Sequence, residues 1–371
     1  MPRDLVRRAA RRLRRTLTGP RSAPTAGPQQ LPVLGYVVAG GGGAHPASAH
    51  VRVVRRTEHL ARTGGATVRQ VDPDAFVDGT DTTAYRAVVV QRDALPRGLV
   101  APFLAAAARR GTRVAAEVDD DFFTESGRDR LARAEYDPDR LASIDALVRG
   151  ADLVIVSTEE LAVLVRPIAH RVVVVRNALD PTIWNPGPPP AADDDRPLDE
   201  HRVLYMGTLT HAADLALLRD VFTDLTAPDG SPIRLEVIGV TEDADEPGWY
   251  RRVEVPDGHY PAFARWLVDH RQRWRAGVAP LRDEVFNRAK SDLKAIEYTA
   301  LGLPAVVSDR PSYRDAHAHG VVAVPDDVDA WRAAVSAAVA DGAPDPEATR
   351  WVRAERTIGD DGDTWRSALL D

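Results

Sequence analysis

The chain has 371 residues, 44% of them apolar, which is length for two ordinary domains and apolar content enough for each to bury a core. It has no cysteine, which excludes a disulfide scaffold, a thiolate zinc site and a cysteine nucleophile. The net charge of −7 hides a split, because residues 1–22 hold eight arginines and one acid, leaving −14 on the remainder, and an acidic body argues against a broad nucleic-acid footprint.

Residues 1–19 read as a basic amphipathic helix. Leu5, Ala9, Leu13 and Leu17 recur every fourth position, and arginines fill the other faces. Thr18-Gly19-Pro20 ends it, and a Pro-, Ala- and Gln-rich stretch runs to residue 30. Such a segment is a solvated tail, a helix on an anionic membrane surface, where each arginine contributes about 1 kcal/mol, or, as a third reading, a nucleic-acid contact. No apolar run reaches the roughly 18 residues of a spanning helix, and no cleavable leader follows Met1. The expectation is a cytoplasmic protein, peripheral at most.

From residue 31 short apolar runs alternate with helical spacing. Pro32–Ala39, Ala87–Gln91, Thr112–Val118, Asp152–Ser157 and Val172–Arg176 read as strands buried on both faces. Between them Ala47–Thr63, Gly98–Arg110, Asp139–Arg149 and Glu159–Val165 read as helices, and the alternation predicts a doubly wound sheet over 31–185. Residues 186–197, PGPPPAADDDRP, read as a linker. The alternation resumes over 198–371. Strands are expected at His201–Met206, Arg234–Ile238, Val278–Leu281, Leu303–Ser308 and Val321–Val324. Helices are expected at Ala213–Phe222, Ala262–Trp274, Leu293–Leu301, Val328–Ala340 and from Glu347 onward. Ligands of such sheets bind beyond the carboxyl ends of strands.

Three stretches offer chemistry. Gly40-Gly41-Gly42-Gly43 lies between the first strand and first helix, where the backbone can approach a phosphate; a plain tight turn is the alternative. Asp119-Asp120-Asp121 follows the third run. These acids suit a divalent metal under a diphosphate, a contact to a substrate hydroxyl, or a helix cap. The default for Arg52, Arg55 and Arg56, on the helix that follows, is the surface; the alternative is that one of them faces the cleft. Lys290 and Lys294 are the only lysines in the chain, and their spacing of four predicts one shared face at the start of a helix capped by Ser291 or Asp292. A phosphate there meets ammonium groups and the helix dipole. Glu297, one turn on, can accept two ribose hydroxyls; the alternative is a surface Lys–Glu pair.

Glu297-Tyr298-Thr299-Ala300-Leu301-Gly302-Leu303-Pro304-Ala305-Val306-Val307-Ser308 resembles the signature of the glycosyl transferases group 1 family. Val156–Glu159, Val175–Asp180 and Leu204–Thr208 resemble further family segments in order, and Glu117–Asp121 is similar to a polysaccharide-building, O-antigen-type branch. The resemblance implies a retaining transferase of GT-B architecture: two Rossmann-like domains facing a cleft, with the C-terminal helix returning to the first domain. It implies a nucleoside-diphosphate sugar in the second domain, an acceptor in the first, and no metal or other cofactor.

By the same resemblance Glu297 holds the ribose, Lys294 faces the diphosphate, and Gly207, with Thr208 after it, lies beside the donor phosphates; the shared helix face adds Lys290 to the diphosphate contacts. Gly40, Gly41 and Gly42 face those phosphates from the first domain. Lys294 also serves catalysis with Asp119, Asp120 and Asp121, which position the acceptor or the reacting centre. The family's sugar-contacting glutamate, eight residues before the ribose acid, is replaced by Ala289. The implied role is glycan, glycolipid or natural-product biosynthesis. A metal-dependent transferase, a nucleotide-sugar epimerase and a non-catalytic sugar-nucleotide binder are the competing readings.

Overall fold

The computed structural model describes residues 31–40, 45–185, 200–207, 211–239 and 248–371, with the backbone alone at 360–363. The basic segment 1–30, Gly41, Gly42 and Gly43, the linker 186–197 and Thr208 lie outside the described residues.

Two parallel six-stranded sheets form the frame. In the first, β1 (Val33–Val37), β2 (Thr67–Gln70), β3 (Ala87–Gln91), β4 (Arg113–Val118), β5 (Leu153–Val156) and β6 (Val172–Val174) take the order β2-β1-β3-β4-β5-β6. In the second, β7 (His201–Met206), β8 (Ile233–Ile238), β9 (Tyr250–Arg252), β10 (Ala276–Ala279), β11 (Ala305–Ser308) and β12 (Val322–Val324) take the order β12-β11-β10-β7-β8-β9. The apolar runs become central strands because helices cover both faces; β3 and β5 are buried throughout. Strand order reverses between β1 and β3 and between β7 and β10, which opens a crevice at the carboxyl end of each sheet.

The first helix changes winding as it enters this crevice. Ala47–Ala49 is α-helical, His50–Val54 is a π-helical turn and Arg55–Arg62 is α-helical again. Such turns widen a helix locally and recur at functional sites. Arg52 and Arg56, expected on the surface, are instead 1% exposed. Their burial is compensated: Arg52 donates to Glu117 Oε1 at 2.7 Å, to the Val175 carbonyl at 2.8 Å and to Asn177 Oδ1 at 2.8 Å, and Arg56 donates to the Arg176 carbonyl.

The C-terminal helix Ile358–Leu370 does return to the first domain. Trp365, Ala368 and Leu369 join the core that holds Leu34, Val53 and Leu60, and Arg86 and Arg113 donate to the carbonyls of Leu370 and Leu369. The chain crosses between domains twice, near 179 and near 357, and the crossings lie side by side. Leu179 N–H donates to the Arg356 carbonyl at 2.8 Å, and Ile358 N–H to the Leu179 carbonyl at 3.0 Å. Arg356 pins this junction. It is 3% exposed, donates to the Asn177 carbonyl at 2.9 Å and pairs with Asp292 Oδ1 at 2.6 Å. Asp292 stands at the N-cap of the helix Leu293–Ala300, but neither it nor Ser291 caps it. The Asp292 carboxylate is taken by Arg356, and Ser291 Oγ accepts from Asn177 Nδ2 at 2.7 Å.

Candidate active site

A cavity of about 510 Å³ lies where the carboxyl ends of the two sheets meet. The first domain lines it with Pro46, Arg52, Arg92, Asp119, Asp120, Phe122, Tyr136 and Asn177. The second lines it with Gly207, His211, Ile238, Tyr260, Lys290, Lys294 and Glu297. Its position follows from the topology, since Arg92 and Asp119 follow β3 and β4 and Gly207 follows β7.

The helix Leu293–Ala300 presents Lys294 and Glu297. Its seat on the sheet is fixed by Tyr298, whose ring covers Gly277; a Cβ there would lie 2.4 Å from the ring. The Tyr298 hydroxyl accepts from Met206 N–H at 3.1 Å and donates to the Val278 carbonyl at 3.2 Å. Gly302 ends the helix with φ of +79°, as its spacing predicts. Lys294 Nζ lies 5.9 Å from the Tyr205 ring centre and has no hydrogen bond or ion pair among the described residues. Burial, with the charge of Lys290, pushes the Lys294 ammonium down to about 8. Burial pushes the Glu297 carboxyl up to about 8, against the pull of Lys294, and that carboxyl too is without a partner among the described residues. Two adjacent, unpartnered groups of opposite type are thus held at a cavity wall at an electrostatic cost.

Lys290 departs from expectation. It precedes the helix, its ammonium lies 4.6 Å from the Phe286 ring centre, and it crosses the cleft to donate to Asp120 Oδ2 at 2.8 Å. The three acids separate. Asp119 pairs with Arg92; burial would raise its carboxyl, but the charge and hydrogen bond of Arg92 hold it below the usual range. Asp120 pairs with Lys290. Asp121 does not line the cavity. Fully buried, it accepts from the N–H groups of Phe123 and Thr124 at 3.0 and 2.9 Å and from the Thr124 hydroxyl, so it shapes the turn into the helix Glu125–Arg133. Neither the cavity role nor the cap holds for it, because the N-cap of that helix is Thr124, whose hydroxyl accepts from Gly127 N–H at 3.0 Å.

Gly207 lines the cavity, and Gly239, at φ of +81°, lies over its carbonyl, where a Cβ would come within 2.6 Å. Gly40 takes φ of +82° and is not among the lining residues. Ala289, in place of the acid the resemblance would expect, packs into the first domain's core, and its carbonyl accepts from Thr158 Oγ1 at 3.0 Å.

Arg52 is the cleft-facing member of the three arginines, and Asn177, within the segment 175–180, accepts from it at 2.8 Å and donates to Ser291 Oγ at 2.7 Å. His211, which also lines the cavity, escaped the sequence reading. His211 Nδ1 is 3.0 Å from Asp214 Oδ2, a pair whose His-x-x-Asp spacing was a legible signal. Asp214 accepts further from Arg282 N–H at 3.0 Å, Asn287 Nδ2 at 2.9 Å and Arg130 of the first domain at 3.1 Å. Burial would raise this carboxyl, but the hydrogen bonds from His211 and Arg282 N–H hold it well below the usual range.

Residues 200–341 match the family model described as Glycosyl transferases group 1. A comparison with curated proteins finds no match. Among solved structures, Anabaena Alr3699/HepE in complex with UDP-glucose is similar at 9% identity and TM-score 0.57, covering 92% of this chain and 99% of that one. The same protein in complex with UDP aligns at 10% identity and TM-score 0.53, covering 92% and 96%. AviGT4, a glycosyltransferase involved in avilamycin A biosynthesis, aligns at 13% identity and TM-score 0.51, covering 92% and 98%. At these identities the likeness is one of fold, and the fold is the two-domain GT-B architecture.

Proposed function

With residues 200–341 carrying the group 1 glycosyltransferase match, we propose that the protein is a glycosyltransferase that moves a sugar from a nucleoside diphosphate to an acceptor hydroxyl, with retention. The observation that carries this reading is the Lys294–Glu297 pair, unpartnered among the described residues, beside Gly207 in a cavity shared by both domains. A carboxylate at Glu297 suits a ribose diol, and an ammonium three residues before it suits a diphosphate. The similar Anabaena structures hold UDP and UDP-glucose, which favours a donor of this class.

The reaction breaks the bond between the anomeric carbon and the diphosphate oxygen and makes one to the acceptor oxygen. Negative charge gathers on the leaving diphosphate, so Lys294 stabilises the transition state more than the bound ground state. Lys290 is shared between the diphosphate and Asp120. Asp119 and Asp120 face the acceptor from the first domain, and their pairing with Arg92 and Lys290 supports a mechanism in which protein cations, not a metal, balance the diphosphate.

Residues 1–19 would hold the enzyme on an anionic membrane face, which suits a lipid-linked or glycan acceptor on the cytoplasmic side. Among the described residues no helix is long and apolar enough to cross a membrane. Ala289 favours one second reading, a non-catalytic sugar-nucleotide binder. A thermal-shift panel of sugar nucleotides tests the donor class: a ligand at 100 times its Kd should stabilise by about 2.7 kcal/mol. No shift with any of them would overturn both readings.

A further inference from the structure

His211 is the cavity-lining group that the donor reading leaves without a task. Its ring is nearly buried, and Nδ1 is occupied by Asp214, which leaves Nε2 as the nitrogen available to a ligand. Asp214 is itself immobilised by Arg282 N–H, Asn287 Nδ2 and Arg130, so the ring is oriented from both domains. Building on the donor reading, we propose that His211 is a ligand of the donor diphosphate and binds it as an imidazolium, so that donor binding draws one proton into the site.

The argument is electrostatic complementarity in a fixed geometry. The charged and titratable groups around the ring are Asp214 on its own helix, Lys294 and Lys290 beside the cavity, and Arg130, which reaches Asp214 from the first domain. Tyr205 lies below, its hydroxyl 3.5 Å from the His211 carbonyl. Without a ligand, burial and then the charge of Lys294 push the imidazole down to about 3, against its hydrogen bond to Asp214, so the ring is neutral. Asp214, an ionised acceptor, then requires the proton on Nδ1 and leaves a lone pair on Nε2. A lone pair facing a phosphate oxygen is repulsive. A diphosphate resting on Lys294 and Lys290 offsets the two positive charges that add to the effect of burial, and sets its own negative charge against the ring. Asp214 then faces a ring with anions on both sides, and protonation of Nε2 turns the repulsive contact into a charge-assisted hydrogen bond. The proton comes from solvent and returns there on product release.

The test is calorimetric titration of the full chain with UDP-, GDP-, ADP- and dTDP-sugars at pH 6.5, in buffers of different ionisation enthalpy. Sugar diphosphates carry no terminal phosphate that titrates there, and Lys294 is charged at this pH. Glu297, raised to about 8, gives up a proton as it meets the ribose as a carboxylate, so the count for His211 is the difference between wild type and His211→Gln. For the nucleotide that binds, the wild type should take up close to one proton per site more than His211→Gln and bind more tightly, by a ratio that grows toward about tenfold as pH falls from 7 to 6. Lys294→Arg should bind more weakly and keep that extra proton, which places it elsewhere than on Lys294. Equal proton exchange in wild type and His211→Gln would overturn the proposal. Binding of none of these sugar nucleotides would overturn the donor reading beneath it.

Discussion

Replacing Lys294 by alanine should separate catalysis from stability. Its ammonium is displaced from 10.5 to about 8 by burial and the neighbouring Lys290. At about 1.4 kcal/mol per pH unit, and discounted because the group borders a cavity, the charged form costs the empty fold on the order of 2 kcal/mol at neutral pH. The folded value lies below the unfolded one, so this cost is full below pH 8 and vanishes as pH rises through 10.5. The loss of the contact to the Tyr205 ring offsets it by about 0.5–1 kcal/mol. Lys294→Ala should therefore melt no lower than wild type at pH 7, while kcat falls about a hundredfold through loss of one preorganised donor to the leaving diphosphate. Lys294→Arg should recover only part of the rate, because a planar guanidinium replaces a compact ammonium. Wild-type donor affinity should weaken as pH rises through 8 and Lys294 loses its charge, whereas Lys294→Arg should be flat there. Melting curves and steady-state kinetics on the same samples make the comparison. Wild-type turnover of Lys294→Ala would refute the diphosphate role; a clear drop in its melting temperature at pH 7 would refute the electrostatic argument.

Other expectations follow from the same geometry. Arg356→Met should destabilise the protein by about 3 kcal/mol in denaturant unfolding, because Asp292 is left charged and buried; a change within experimental scatter would show that the domain junction tolerates its loss. Turnover should persist in excess EDTA. Complete loss, restored by magnesium or manganese, would reassign Asp119 and Asp120 to a metal. Full-length protein should co-sediment with anionic liposomes at low salt and protein lacking residues 1–19 should not. Equal pelleting of the two would remove the membrane role.

The sequence made the frame legible because central parallel strands write themselves as uninterrupted apolar runs; Ala87–Gln91 and His201–Met206 match the strands residue for residue. The edge strands β2 and β9 were not foreseen, since Thr67–Gln70 and Tyr250–Arg252 are largely polar or exposed and gain their form from one neighbour. The Lys294–Glu297 face was legible because helix geometry alone sets it. Asp119, Asp120 and Asp121 were not separable, because adjacent acids at a strand end diverge according to partners elsewhere in the chain. Arg52 finds Glu117 65 positions on, and Arg130 finds Asp214 84 positions on. Such pairs are products of topology, invisible to local spacing.

The central claim is transfer of a sugar from a nucleoside diphosphate. It is tested most directly by release of nucleoside diphosphate from the sugar nucleotide that binds, across a panel of hydroxyl acceptors, for wild type and Glu297→Gln. The account predicts acceptor-dependent release by the wild type and, in Glu297→Gln, a donor KM raised about tenfold with a smaller change in kcat, because the carboxylate meets a ribose remote from the breaking bond. Donor binding with no release above background on any acceptor would contradict it and leave a sugar-nucleotide binding protein.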